Sequence, residues 1–192
     1  QMSFDAFLQK HLCEPLGLND TAFYLSDSQH QRLAKSYTRT TDGELNESAI
    51  FLLAGKKPTE RDRLPAANGG LFSTPTDYGR ICQMLLSGGT WQGRRILSDQ
   101  SVKRLGTPTT ADLKTGFTPG NAWGVGCCVV REPQGPTSML SKGTYGHGGA
   151  YGTQAWIDPV KGRAYLLFVQ RANFPNADAS EVRVAFQKLA AG

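Results

Sequence analysis

The stretch YGHGGAYGTQAW, Tyr145 to Trp156, sets an imidazole among four glycines directly ahead of an aromatic run. Histidine exchanges a proton near neutral pH, and its neighbours Gly148, Gly149 and Ala150 leave the backbone little covered by side chains. The bland alternative is a polar residue in a tight bend, and nothing inside the stretch separates the two. Other chemistries are readily set aside. No GxxxxGK[ST] phosphate loop exists, because Gly55-Lys56 lacks its upstream glycine. The run from Gly146 departs from GxGxxG at its sixth place, Tyr151, and there is no GxSxG nucleophile elbow. The acidic residues are scattered, so no carboxylate pair for glycoside chemistry can be picked out. Cys13, Cys82, Cys127 and Cys128 show no zinc spacing, and His11, His30 and His147 do not form a ligand set. No metal and no cofactor is expected. The cysteines read as buried free thiols and leave the compartment open; the adjacent Cys127 and Cys128 would point to opposite faces of a strand.

The elements that must hold His147 follow from periodicity. GTQAWID alternates, VKGR makes a turn and AYLLFVQ is a continuous apolar run, so residues 152–170 predict a hairpin. AWGVGCCVVRE reads as a strand, so Asn121–Arg131 is expected to pair with the sheet of that hairpin, followed by a loop at QGPTS. A closing helix is expected from about Asp178, with Val182, Ala185, Phe186 and Leu189 on its buried face. Upstream, Ser3 can cap a helix whose Phe4, Phe7, Leu8, His11 and Leu12 share one face, ended by Pro15 and Gly17. A second helix starts at Thr74 as N-cap, with Pro75 at its first position and Asp77 completing a box-like cap. Tyr78, Ile81, Cys82 and Leu85 form its apolar stripe, and Gly88 is its stop. A short helix follows, capped by Ser98 or Asp99. Residues 26–68 are polar and weakly periodic, and read as loop with one short helix. Helices, then antiparallel strands, then a packing helix give an α+β class.

Composition bounds the rest. A chain of 192 residues fits one domain with a substantial core. The net charge of +5 is modest and its basic residues are dispersed. The cluster KKPTERDR, Lys56 to Arg63, mixes signs as a solvated loop does, so no nucleic-acid partner is expected. No apolar run approaches the length of a membrane span.

Five segments occur in order: EPLGLNDTAFYL, AANGGLFSTPTDYGRICQMLLSGG, RRILSDQSV, AWGVG and YGHGGAYGTQAWIDPVKGRAYLLFV. Together they resemble the serine β-lactamase-like superfamily of class C β-lactamases, DD-peptidases and related esterases, over essentially the whole chain. The resemblance implies an antiparallel β-sheet flanked by helices, the β-lactamase/transpeptidase-like fold. It also implies a serine nucleophile in SxxK, a tyrosine in YxN, and a third motif, KTG or HxG, which His147-Gly148-Gly149 matches. By the same resemblance this strand borders the substrate, and the Ala150 N–H forms half of an oxyanion hole. The expectation is that His147 begins a strand in an open cleft. Such an amide stabilises the charge that develops in acyl transfer, and the glycines let a substrate approach.

The departures are informative. No serine here has lysine three places on, and no tyrosine has asparagine two places on. Both motifs lie upstream of Ser3 in the family, so the expectation is the C-terminal half of one such domain over residues 1–192, inactive alone because nothing in it is acylated in the family manner. Its partners would be the N-terminal half, or a second copy, and, in the intact parent, a small ester, D-amino peptide or β-lactam. Imidazole lacks lysine's permanent charge for a substrate carboxylate, which favours an esterase or peptidase over a β-lactamase. The family setting leans towards the periplasm or outside the cell. The other functional class is a non-catalytic binding module on the same scaffold. Trp123, Trp156 and Tyr165 read as core and strand-face residues.

Overall fold

The computed structural model describes residues 1–110, 112–113, 118–174 and 179–192. They sort into two compact units, Gln1–Ile81 and Cys82–Gly192, with the boundary inside one helix.

In the first unit, α1 (Phe4–Leu8) passes through a π-helical turn (Gln9–Cys13) into α2 (Glu14–Leu16). Pro15 does not end the helical run as its type suggests. It sits inside α2, and the wider turn before it accommodates a ring that cannot donate to the preceding turn; the run ends at Gly17. The apolar face expected on this helix is also displaced. Phe4 and Phe7 are exposed and α1 buries nothing, whereas Cys13, Leu16 and Leu18 are buried with Phe23, Leu25 and Leu53. Ser3 makes no side-chain cap bond; its carbonyl accepts from the Phe7 N–H at 2.9 Å.

Residues 26–68 hold more than loop. α3 (Asp27–Gln31) has a full capping box between Ser26 and Gln29, and β1 (Ser36–Arg39) pairs antiparallel with β2 (Leu45–Ser48). The pair is mostly solvated and polar, so it carries no apolar alternation for a sequence reader to detect. A single 3-10 turn covers Phe51–Leu53. α4 (Pro75–Leu86) follows, and the Asp77 N–H donates to Thr74 Oγ1 at 3.2 Å as a cap requires. The Asp77 carboxylate does not close a box. It accepts from the Asp20 N–H at 2.8 Å and the Thr21 hydroxyl at 3.0 Å, joining α4 to the segment after α2. Besides Asp77, Cys82 and Met84 are the buried residues of α4, with Tyr78, Ile81 and Leu85 half-buried.

The second unit opens with a small hairpin, β3 (Thr90–Trp91) and β4 (Arg94–Arg95). α5 (Asp99–Leu105) is capped by Ser98, whose hydroxyl accepts from the Ser101 N–H at 3.1 Å. A five-stranded antiparallel sheet follows in the order β5 (Asn121–Trp123), β6 (Cys128–Val130), β7 (Tyr145–Gly148), β8 (Gln154–Asp158), β9 (Arg163–Leu167). Asn121–Arg131 is therefore not one strand but a hairpin that turns over residues 124–127. Cross-strand register aligns Cys128, Gly146, Trp156 and Tyr165 in one row. Three of these, with Val130, Leu140 and Ala191, form the apolar core.

Asp158 ends β8 fully buried and accepts from the N–H groups of Ser141, Val160 and Lys161 at 3.0, 3.0 and 2.9 Å. Burial works to raise its pKa, but the hydrogen bonds from Lys161 and Ser141 hold it below the usual carboxylate range.

α6 (Glu181–Ala191), capped by Ser180, packs on the core through Phe186, Ala190 and Ala191. The expected start at Asp178 lies outside the described residues. Its rotation differs from the apolar reading: Val182, Ala185 and Leu189 face outward, and Arg183 and Gln187 are fully buried. The Arg183 guanidinium lies 4.8 Å over the Trp156 ring. Rotated to its hydrogen-bonded orientation, the Gln187 amide donates to the Pro136 carbonyl and accepts from Arg183 Nε at 3.2 Å. Among the described residues no helix is long and apolar enough to cross a membrane.

Candidate functional site

β7 is set by its first residue. Tyr145 is buried, with its ring so close to Gly106 beyond α5 that a Cβ there would stand 2.9 Å away. Burial, reinforced by the Cys127 and Cys82 thiols, pushes its pKa up to about 12, so it serves as an anchor rather than a proton carrier. Gly146 comes next, and a methyl group there would lie 2.0 Å from the Ala155 carbonyl oxygen. That glycine is required by the approach of β8.

His147 is the third residue of β7, not the start of a strand. It is exposed, in register with Ala155, and its Nδ1 meets the Gly148 carbonyl. The Trp123 ring at the end of β5 is 5.0 Å from the imidazole at 46°. Trp123 thus borders the candidate site as well as the core. The signal for it was the glycine turn after it, which folds the chain from β5 back into β6, the strand beside β7.

The strand ends at Gly148, opposite Gln154. Gly149 then donates to the Thr153 carbonyl at 2.7 Å, and Gly152 donates back to the Gly149 carbonyl at 3.0 Å. Ala150 and Tyr151 sit at the tip of this turn. Gly149 and Ala150 are exposed, and no described residue accepts a hydrogen bond from the Ala150 N–H. Gly149 differs from Gly146. Its φ lies outside the left-handed region, and an added Cβ would meet only Thr153 atoms at 3.5 and 3.6 Å, ordinary contact. Packing among the described residues does not demand a glycine there.

Nucleophiles elsewhere are quiet. Cys82 is pushed up to about 12 by burial, and burial raises Cys127. Burial also raises Cys13, with Asp77 and Glu14 adding to it. All three are protonated thiols at neutral pH. Ser73 Oγ pairs with the Thr21 hydroxyl at 2.8 Å and the Thr74 carbonyl at 3.4 Å, neither of them a base. Ser141 engages the Asp158 carboxylate through both its backbone N–H and its side chain. Among the described residues no three His, Cys, Asp or Glu side chains gather as for a metal ion.

Comparison with known proteins gives this geometry its setting. Protein Rv1367c of Mycobacterium tuberculosis is 30% identical over 183 residues, covering 90% of this chain and 45% of that protein. A putative D-alanyl-D-alanine carboxypeptidase of Escherichia coli O157:H7 is 27% identical over 193 residues, covering 91% of this chain and 41% of the other. The chain thus spans less than half the length of these relatives. Among solved structures, EstCE1, described as a hydrolase with promiscuous acyltransferase activity, superposes with a TM-score of 0.73 at 20% identity, over 97% of this chain and 50% of its own. The fold is therefore β-lactamase/transpeptidase-like, covering about half of such a structure. With the family model described as Beta-lactamase matching residues 1–190, the chain belongs to the beta-lactamase family.

Proposed function

We propose that residues 1–192 are the C-terminal part of one β-lactamase-like serine hydrolase domain, and that His147, Gly148, Gly149 and Ala150 form the substrate-facing edge of its active site. The observation that supports this reading is Gly149: an exposed glycine that neither its backbone conformation nor its described neighbours require, beside an amide with no acceptor among the described residues. A glycine the fold does not need leaves room for something outside the fold. Esters and D-amino peptides are the favoured substrates, over β-lactams, because imidazole offers a substrate carboxylate no permanent charge. The names borne by the Escherichia coli relative and by EstCE1 point the same way.

The chemistry divides between the halves. A serine oxygen supplied by the N-terminal half attacks the substrate carbonyl, and its proton passes to that half's lysine–tyrosine pair. The C–O bond to serine forms while the carbonyl π pair moves onto oxygen. The Ala150 N–H donates to that oxygen, so its contribution grows as the charge grows. His147 donates to or orients the substrate at the strand edge. The tetrahedral centre then collapses, and the alcohol or amine leaves with a proton; water repeats the sequence to release the acid.

The chain alone is expected to be inactive, and to associate with its N-terminal half or with itself. The test mixes this chain with a separately made N-terminal half carrying SxxK and YxN, and follows hydrolysis of a short-chain aryl ester. Turnover should appear in the mixture only, and changing the upstream serine to alanine should abolish it. Turnover by this chain alone that survives repurification overturns the reading. A mixture that assembles yet never turns over favours a binding module instead.

A further inference from the structure

The turn that carries Ala150 is backed from outside the motif. Beyond β9 the chain runs along it: Thr153 Oγ1 donates to the Val169 carbonyl at 2.9 Å, and the Arg171 N–H donates to the Tyr151 carbonyl at 3.1 Å. Asn173 then takes φ +58, a left-handed setting asparagine tolerates, and this bend brings the next residue back. Phe174 lies against Gly152. A Cβ on Gly152 would stand 2.4 Å from Phe174 Cε2, so ring and backbone meet with no space between them. The Arg171 guanidinium also lies over this ring, 4.2 Å from its centroid. Among the described residues Arg171 Nε is buried without a hydrogen-bond partner, and its guanidinium makes the ring contact.

We propose that Phe174, clamped by Arg171, is a positioning residue: it fixes the Gly149–Gly152 turn and so aims the Ala150 N–H. The proposal rests on the reading of Ala150 as an oxyanion donor, and extends it to residues that no third-motif pattern includes. The turn has two internal hydrogen bonds, from Gly149 to Thr153 and from Gly152 to Gly149, and two of its four residues are glycine. Such a turn has many accessible shapes when nothing packs on it. An aromatic plane pressed on Gly152 removes most of them. An amide that must meet a developing charge within a few tenths of an ångström needs that restriction.

Two measurements separate the positioning claim from the oxyanion reading. On the 192-residue chain, amide hydrogen exchange followed by NMR reads the turn directly. Phe174→Ala should speed exchange of the Gly149 and Gly152 amides by about tenfold or more, while Trp156 and Ile157 in β8 stay protected. Arg171→Gln, which keeps the backbone bond to Tyr151, should move the same two amides in the same direction by less, and Phe174→Tyr should restore them. In the complemented enzyme, Phe174→Ala should lower kcat for the aryl ester about ten- to a hundredfold with KM little changed. Unchanged Gly149 and Gly152 exchange in both Phe174→Ala and Arg171→Gln overturns the positioning claim. Faster exchange with unchanged kcat leaves the clamp in place and overturns the oxyanion role of Ala150 instead.

Discussion

Replacing Gly149 with alanine separates a glycine kept for folding from one kept for a ligand. The structure supplies the controls on the same strand and turn. At Gly146 the new methyl would lie 2.0 Å from a carbonyl oxygen and 2.8 Å from Trp156 Cα, both backbone atoms that cannot step aside. Gly146→Ala should cost about 1–3 kcal/mol or more. At Gly152 a left-handed φ of +84° adds about 1–2 kcal/mol to a similar overpacking cost against Phe174, so about 2–5 kcal/mol is expected. At Gly149 neither cost applies. The methyl meets Thr153 at 3.5 Å, and the loss of freedom in the unfolded chain should stabilise by about 0.4–1 kcal/mol. Urea unfolding of the three variants should therefore rank Gly149→Ala at or above the parent chain and the other two well below it. Under the proposed function the same methyl would stand where substrate approaches, and ester turnover in the complemented enzyme should fall by about tenfold or more. Full turnover by Gly149→Ala, or a stability loss matching that of Gly146→Ala, would refute the reasoning that this position is reserved for a bound molecule.

Two further outcomes are expected. Because the folded-state pKa of Asp158 is depressed, its stabilisation is fully present above about pH 4 and disappears as pH falls through the folded value. Asp158→Asn should lower the unfolding free energy at pH 7 by about 2–5 kcal/mol, by disrupting acceptance from three N–H groups at a buried carboxylate, and should flatten the acid limb of the stability curve measured from pH 7 down to pH 3. Among the described strands β9 pairs only with β8, and an open groove of about 540 Å³ runs beside it between Arg163, Tyr165, Leu166 and Phe186. Sedimentation should show concentration-dependent association of the chain, and Leu166→Lys should weaken it, since an edge lysine obstructs strand pairing; a monomer at all concentrations would remove this edge as the contact.

Much of the second unit was legible in the sequence. Turn residues and alternation placed β8, β9 and the hairpin between them, and the cap at Ser98 had the right residue type in the right place. The failures have specific causes. Gly124 and Gly126 inside an apolar run were read as strand when they turn it back, which hid the approach of Trp123 to His147. Pro15 was read as a stop because propensity cannot foresee a π-helical turn that absorbs it. The β1–β2 pair is polar on both faces and gives periodicity nothing to register. At the site itself, the residues of HGGA were legible by type, but the demand on each glycine was not: only neighbouring backbone distances distinguish Gly146, which the sheet requires, from Gly149, which it does not.

α6 keeps Phe186 of its expected face on the core and turns the rest of that face away, and the consequence concerns rotational phase. By hydropathy alone the helix would turn Val182, Ala185 and Leu189 inward; instead Leu189 is 89% exposed and Arg183 is fully enclosed. A turn of the helix by one residue, about 100°, would lift the guanidinium off the Trp156 indole and take Gln187 from the Pro136 carbonyl. Grease tolerates such slippage, because any apolar side chain fits an apolar wall to some degree. A planar cation over one ring, tied to one amide, does not. The last helix of the chain is thus indexed like a key, and the setting it selects leaves Val182, Ala185 and Leu189 outside while Phe186 stays on the core.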